Sequence, residues 1–280
     1  MQRSPLFDRS SSPWAIKKLI QRQKSNIELD KRLKAEAEVL RKLKHPNIVG
    51  FRAFAKDPDG RNVLAMEECT SCLGDMIEER NQPYAAKTIM KVSNDMAKAL
   101  EYLHNEALLL HCDVKSYNVL IKGDFCICKL CDFGVCLPIT EAGEVDWRKA
   151  GEEAEYIGTG AWCAPEILKF PQEISTKADV YAFGLVIWEM IALAPPIDED
   201  FVNSLSESQI DTDLSSESLN LSNIEKPLRK RPSLPDIDLD VGYNIILEIF
   251  FCCTHDDKNK RPAAKDLVII LEKLRNDNCS

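Results

Sequence analysis

Two lysines, two aspartates and an asparagine stand in short runs whose residue types could do chemistry together. Lys17 closes Ala15-Ile16-Lys17. Asp113, Lys115 and Asn118 share the run His111-Cys112-Asp113-Val114-Lys115-Ser116-Tyr117-Asn118, and Asp132 opens Asp132-Phe133-Gly134. A lysine presents a compact cation to an anionic group. Carboxylate and carboxamide oxygens are hard ligands for ions such as Mg²⁺, and an aspartate within reach of a hydroxyl can take or orient its proton. Taken singly, either aspartate is as well read as a turn-former, so only the joint order of these runs carries weight.

With Ala164-Pro165-Glu166 downstream, the four runs follow the order of the protein kinase signature set. The chain resembles protein kinases over roughly residues 14–275. The resemblance implies transfer of phosphate from ATP, with Mg²⁺, to Ser/Thr hydroxyls of protein substrates. That reaction spreads negative charge over phosphoryl oxygens, and the protein must position and neutralise them. The resemblance gives Lys17 the α/β-phosphates and Glu36 the ion pair with Lys17, Glu38 being the competitor. The bland reading of Glu36 is a solvated helix charge. Asp113 would accept or orient the substrate hydroxyl proton, Lys115 would meet the γ-phosphate, and Asn118 and Asp132 would hold Mg²⁺. Thr159 would hydrogen-bond around Asp113 and Lys115. Met66 fits the gatekeeper at the back of the adenine pocket, and Glu67–Cys69 the hinge whose backbone bonds adenine. Leu40, His111 and Phe133 fit a packed spine, Asp179 an anchor for the catalytic loop, and Glu166 with Arg261 a buried ion pair. Lys115 and Thr159 lean the hydroxyl specificity to Ser/Thr and leave dual specificity open.

The elements that must position these groups can be read from periodicity. Residues 1–13 read as an irregular segment and Pro13–Ile20 as a strand. Leu33, Ala37, Leu40 and Leu43 recur at three- and four-residue spacing, predicting a helix over about Asp30–Lys44 that is stopped by His45-Pro46. Strands follow at Ile48–Ala55 and Asn62–Glu67, joined by the turn Asp57-Pro58-Asp59-Gly60. The pattern turns helical after Cys72, with a long amphipathic helix at Lys87–Asn105. Short strands flank His111–Asn118 and return at Ile127–Leu130. Ala178–Ala192 is apolar nearly all round and predicts a helix buried on most sides. Residues 196–225 hold no Lys or Arg and read as an acidic insert, before two last helices near Tyr243–Cys253 and Pro262–Arg275. The expected fold is therefore α+β and bilobal: an N-lobe at 14–67, a hinge at 67–70, a helical C-lobe at 71–275 and a tail at 276–280.

Two departures from the kinase pattern stand out. Cys112 occupies the place of the arginine that normally receives a phosphate on the activation loop. Loop phosphorylation is therefore expected to raise activity by well under roughly a hundredfold, which kinase assays before and after phosphorylating the loop would check. The N-lobe also lacks two strands and the glycine-rich loop ahead of Lys17, because sixteen residues precede it and no Gly occurs before Gly50. The expectation is an incomplete chain, with Met1 an internal methionine or the start of a shortened product, and weak activity in this form. Longer stretches, among them His45-Pro46-Asn47-Ile48-Val49-Gly50-Phe51-Arg52-Ala53-Phe54 and Leu109-Leu110-His111-Cys112-Asp113-Val114-Lys115-Ser116, resemble the PDZ-binding kinases, also called lymphokine-activated killer T-cell-originated protein kinases. That family is similar to mitogen-activated protein kinase kinases and is linked to mitosis. Its PDZ-binding tail is not carried over, since the chain ends Asp277-Asn278-Cys279-Ser280.

Composition excludes several classes. The 280 residues are 45% hydrophobic and 29% charged, enough for a real core. A formal net charge of -9 argues against a generic nucleic-acid binder. No apolar run approaches the roughly 20 residues that cross a bilayer, and no apolar leader opens the chain. Cytosol or nucleus is the expected location, with protein substrates and an upstream kinase as partners, and the eleven Cys are expected to be mostly free thiols. Cys69-Thr70-Ser71-Cys72 and Cys126-Ile127-Cys128-Lys129-Leu130-Cys131 carry zinc-like spacings, but Cys69 falls in the hinge and the others on a strand. Ser233 in Arg229-Lys230-Arg231-Pro232-Ser233 resembles a phosphosite and is better read as a lobe loop. The alternative to an enzyme is a pseudokinase scaffold, supported only by the missing loop.

Overall fold

The computed structural model describes residues 13–18, 27–151, 154–196 and 231–277. Residues 1–12, Leu19-Ile20, nearly all of the acidic insert and the last three residues of the tail lie outside them. The first sheet is antiparallel, with β1 (Trp14–Lys18) and β2 (Phe51–Lys56) on either side of β3 (Asn62–Glu67). Its register sets Lys17 opposite Leu64, which is fully buried. Alternation along β1 leaves Ala15 and Lys17 on the better buried side, and Trp14 and Ile16 on the other.

Helix α1 (Ile27–Leu40) packs on this sheet. Leu33, Ala37 and Leu40 form its buried stripe, and Glu36 lies on the same side. The helix stops at Leu40 rather than at the predicted Lys44. Lys42 and Leu43 already bond to carbonyls three residues back, so the last turn tightens before Pro46 is reached. The second strand also begins later than predicted, at Phe51. Val49 donates to Leu130 O of the other lobe instead, and a bulge falls between Phe51 and Ala53.

The remainder is mostly helical. After β4 (Ser71–Cys72) come α2 (Leu73–Glu78) and α3 (Ala86–Tyr102), the latter continuing into one π-helical turn at Leu103–Ala107. Strand β5 (Leu109–Leu110) leads into the catalytic-loop run. Strands β6 (Val119–Lys122) and β7 (Ile127–Leu130) form a hairpin, with β4 on the outer side of β6. Strand β8 (Leu137–Pro138) pairs with β5, and α4 (Trp147–Ala150) follows. Helix α5 (Thr176–Ala192) is the axis of this lobe: every residue from Ala178 to Ile191 is buried. Burying each large aliphatic or aromatic side chain is worth about 1.5–3 kcal/mol, so this near-continuous apolar run fixes the helix in the centre. Helices α6 (Asn244–Cys253) and α7 (Ala264–Asp277) pack against α5 and α3 respectively. No helix among the described residues is long and apolar enough to cross a membrane.

One buried ion pair ties the periphery to this axis. Arg261 grips Glu166 with two parallel bonds, Nη1 to Oε1 at 2.6 Å and Nη2 to Oε2 at 2.8 Å. Its guanidinium also donates to the carbonyls of His255 and Lys177, and lies over the Tyr181 ring. The cysteines among the described residues are free thiols.

Candidate active site

Three segments remote in sequence converge on one lysine. Lys17 Nζ lies 2.9 Å from Glu36 Oε2 and 2.9 Å from Asp132 Oδ1. Glu36 is 1% exposed, whereas Glu38 faces solvent, so the choice between the two glutamates falls to Glu36. Burial works against the Lys17 charge, but Asp132 and Glu36 outweigh it and hold its pKa above the usual lysine value. Burial, and then the neighbouring Asp132, push the Glu36 carboxyl up despite the pull of Lys17. Asp132 moves the other way. Burial opposes its charge, yet Lys17 and the more distant Lys115 hold its pKa below the usual carboxylate range. Asp132 has φ of +65°, a left-handed conformation that Asp tolerates better than most residues, and this turns its carboxylate toward Lys17.

A second cluster surrounds Asp113. Its Oδ1 accepts from Thr159 Oγ1 at 2.7 Å and from Thr159 N at 3.1 Å. Its Oδ2 lies 3.1 Å from Lys115 Nζ and accepts from Asn118 Nδ2 at 3.0 Å. Lys115 Nζ also donates to Thr159 Oγ1 at 2.7 Å. The Thr159 hydroxyl thus takes a bond from the lysine and gives one to the aspartate. Gly158 permits this approach, since a Cβ there would sit 2.7 Å from Cys112 O. Asn118 spends its amide hydrogens on Asp113 O, at 2.7 Å, and on Oδ2, so its carbonyl oxygen is the side-chain atom these bonds leave uncommitted.

The backbone that carries Asp113 is held from below. Asp179 of α5 accepts from His111 N at 2.8 Å, Cys112 N at 3.0 Å and His104 Nε2 at 2.9 Å. Those bonds fix Cys112 at φ +69°, where a residue with a Cβ is strained. Cys112 is fully buried, and its thiol points to Leu110 O, away from solvent. His111 accepts from Asp113 N at Nδ1, so its Nε2 carries the proton and donates to Cys131 O at 3.0 Å. Its ring meets Phe133 edge-on, with centroids 5.2 Å apart. Leu40 and Phe133 are both buried in the same core.

At the hinge, Met66 stands partly buried one residue before the end of β3, and Cys69 follows half-buried. Glu67 is more engaged than its sequence reading suggests. Its amide donates to Gly50 O, and its carboxylate meets Lys122 at 2.6 Å and Lys129 at 3.1 Å. Lys129, on β7, also donates to Pro46 O at 2.6 Å, so one buried lysine ties the hinge to the loop after α1. A lysine between Cys128 and Leu130 on a strand gives no sequence signal for that role. The zinc-like cysteines divide between settings: Cys128 is buried on β7, Cys126 is exposed, and Cys69 and Cys72 are half-buried at the hinge and the cap of α2. Ser233 is exposed, but its carbonyl accepts from Trp188 Nε1 at 2.8 Å, which pins the loop.

Sequence reasoning also missed Glu189. Buried on α5, it accepts from Ser116 Oγ through Oε1 and from Trp162 Nε1 through Oε2, both at 2.7 Å. It thereby joins the catalytic-loop run to the segment before Ala164-Pro165-Glu166. Burial pushes its pKa up to about 8 against an ordinary value of 4.5. The folded protein therefore holds this proton over a range where the unfolded chain has released it. Stability is favoured below the unfolded value and falls as pH rises from about 4.5 toward about 8. A glutamine mimics the protonated acid, with its oxygen toward Trp162 and its amide toward Ser116. Glu189→Gln is expected to flatten that part of the pH–stability profile in denaturant melts, and an unchanged slope would contradict the assignment.

Comparison with known proteins agrees with this geometry. A family model described as protein kinase domain matches residues 6–269. The chain is 41% identical to human lymphokine-activated killer T-cell-originated protein kinase, over 97% of this chain and 84% of that protein. It is 28% identical to Serine/threonine/tyrosine-protein kinase HT1 of Arabidopsis thaliana, over 92% of this chain and 58% of that one. It is also 28% identical to Dual specificity protein kinase shkA of Dictyostelium discoideum, over 87% of this chain and 42% of that one.

Proposed function

The chain belongs to the protein kinase family, and from that premise we propose that it transfers the γ-phosphoryl group of ATP to Ser/Thr hydroxyls of proteins, with Lys17, Asp113, Lys115, Asn118 and Asp132 as the working groups. The observation that carries this reading is Lys17 held at 2.9 Å by both Glu36 and Asp132. Packing of α1 on the sheet brings Glu36 near Lys17, and a lysine steered between two carboxylates is ready to take an ATP phosphate.

In this reading Lys17 binds the α/β-phosphates, and Glu36 limits the directions in which the ammonium can turn. The hinge at Glu67–Cys69 offers its backbone to adenine, with Met66 behind it. Asn118 and Asp132 suit Mg²⁺, since each presents a hard oxygen after its bonds to Asp113 and Lys17 are made. The ion, when bound, neutralises phosphate charge that the protein's cations leave uncovered. Asp113, braced on both oxygens, accepts or orients the substrate hydroxyl proton, and Lys115 lies beside it for the transferring group. The Lys115–Thr159–Asp113 bonds support Ser/Thr specificity, and the names of the Arabidopsis and Dictyostelium relatives keep dual specificity in view. The resemblance to the PDZ-binding kinases, a family linked to mitosis and similar to mitogen-activated protein kinase kinases, supports a role in mitotic or MAP-kinase-type signalling; the expected location is cytoplasm or nucleus.

The test is an assay with ATP, Mg²⁺ and a generic basic protein, using Lys17→Met and Asp113→Asn as controls. Phosphate incorporation clearly above both controls is expected. Incorporation equal to the controls would sink the enzyme reading and favour a scaffold.

A further inference from the structure

A cavity of about 690 Å³ opens on the helical lobe, between α3, the start of α6 and α7. Its lining shares no residue with the site described above. The volume falls within the roughly 300–1,000 Å³ of ordinary small-molecule sites. Met90, Ile245 and Leu271 supply apolar walls, and the exposed Lys87 and Arg275 stand among the lining residues.

The charge balance here is one-sided. Lys91, also in the lining, pairs with Asp95, whose carboxylate accepts in addition from Cys128 N. Asp240, near Gly242, is spent capping the turn at Gly242 N. Neither Lys87 nor Arg275 forms a close ion pair among the described residues; Glu272, one turn before Arg275, pairs with Lys98 at 2.7 Å and meets Arg275 only at longer range. Two cations therefore remain beside an apolar hollow.

Asn94 adds an independent sign of a ligand. It is one helical turn beyond Met90 and Lys91, is 8% exposed and lines the same cavity. Its buried Oδ1 has no hydrogen-bond partner among the described residues. A buried acceptor left unsatisfied is costly, and a donor arriving with a ligand would relieve it.

We propose that this cavity binds an amphipathic anion: an apolar chain that fills the hollow between Met90, Ile245 and Leu271, a carboxylate that meets Lys87 and Arg275, and an N–H or O–H that reaches Asn94. The three features are needed together. A purely apolar ligand leaves the cations and Asn94 unused, and a small inorganic anion leaves the apolar walls wet.

Isothermal titration calorimetry on the full 280-residue chain tests this, with N-dodecanoylglycine below its micelle concentration as the probe. One saturable site is expected. N-Dodecanoylsarcosine keeps the chain and the carboxylate but has no N–H, and should bind about fivefold more weakly. Dodecyltrimethylammonium reverses the charge and should bind at least roughly tenfold more weakly, as should N-dodecanoylglycine to the surface variant Lys87→Glu/Arg275→Glu. Met90→Trp fills the hollow and should abolish binding, with the melting temperature and ATP binding of each variant as folding controls. Equal binding of the alkyl cation, or an affinity within twofold in the folded charge-reversal variant, would overturn the proposal. So would self-association that Met90→Trp abolishes, since a second copy would then be the occupant.

Discussion

Asp113→Asn should slow phosphoryl transfer by about 10²–10⁴-fold, the contribution of a positioned proton acceptor, while ATP binding changes little. The separation follows from geometry. The Lys17–Glu36–Asp132 contacts do not involve Asp113, so the nucleotide end of the site keeps its charges. At the other end, Asp113 receives Thr159 on one oxygen and Lys115 with Asn118 on the other. An amide keeps an acceptor for only one of those sides and turns its own hydrogens toward existing donors. The loss therefore combines a missing proton acceptor with a loosened Lys115. Single-turnover kinetics alongside equilibrium ATP binding separate the two ends. Transfer within tenfold of the parent protein, with ATP binding intact, would remove Asp113 from its proposed role.

Arg261→Ala should cost about 3–5 kcal/mol of stability, because it strands a buried carboxylate rather than merely deleting a contact. Glu166 loses two short parallel bonds, and the carbonyls of His255 and Lys177 lose their guanidinium donors at the same time. The Arg261 side chain is completely buried, so water cannot fill in without opening the lobe between α5 and the start of α7. For a chain of this size the melting temperature should fall by on the order of 10 °C. Arg261→Lys should fall between the two proteins, since it restores charge but not the fork that matches a carboxylate. A melting temperature for Arg261→Ala within 2 °C of the parent would mean that Glu166 finds another partner, and the ion pair would then matter little to the fold.

Much of this site was legible before any coordinates. Lys17, Asp113, Asn118 and Asp132 were singled out by residue type and order, and the structure brings them into two adjoining clusters. Periodicity located β3 and β7 to the residue and α5 to within two residues at its start, because alternation and an all-round apolar run are direct consequences of which faces are buried. Element ends were less legible. The late start of β2 depends on bonds to Leu130 and Glu67, far along the chain, which no local pattern contains, and the stop of α1 at Leu40 on how its last turn tightens. Glu189 and Lys129 were missed for a related reason: a charged residue within an apolar run reads as an exception until its buried partners are known.

The sequence by itself determined the chemistry available to this protein: which cations, carboxylates and amides it carries, and the order that assigns them to a kinase. Tertiary structure decided which of them act together. It chose Glu36 over Glu38, made Thr159 the link between Lys115 and Asp113, and turned Glu67 from an unassigned hinge side chain into a buried tie to Lys129. The physical reason is that local propensity and periodicity act over a few residues, whereas the energy of a buried charge depends on every group packed around it, whatever its distance along the chain.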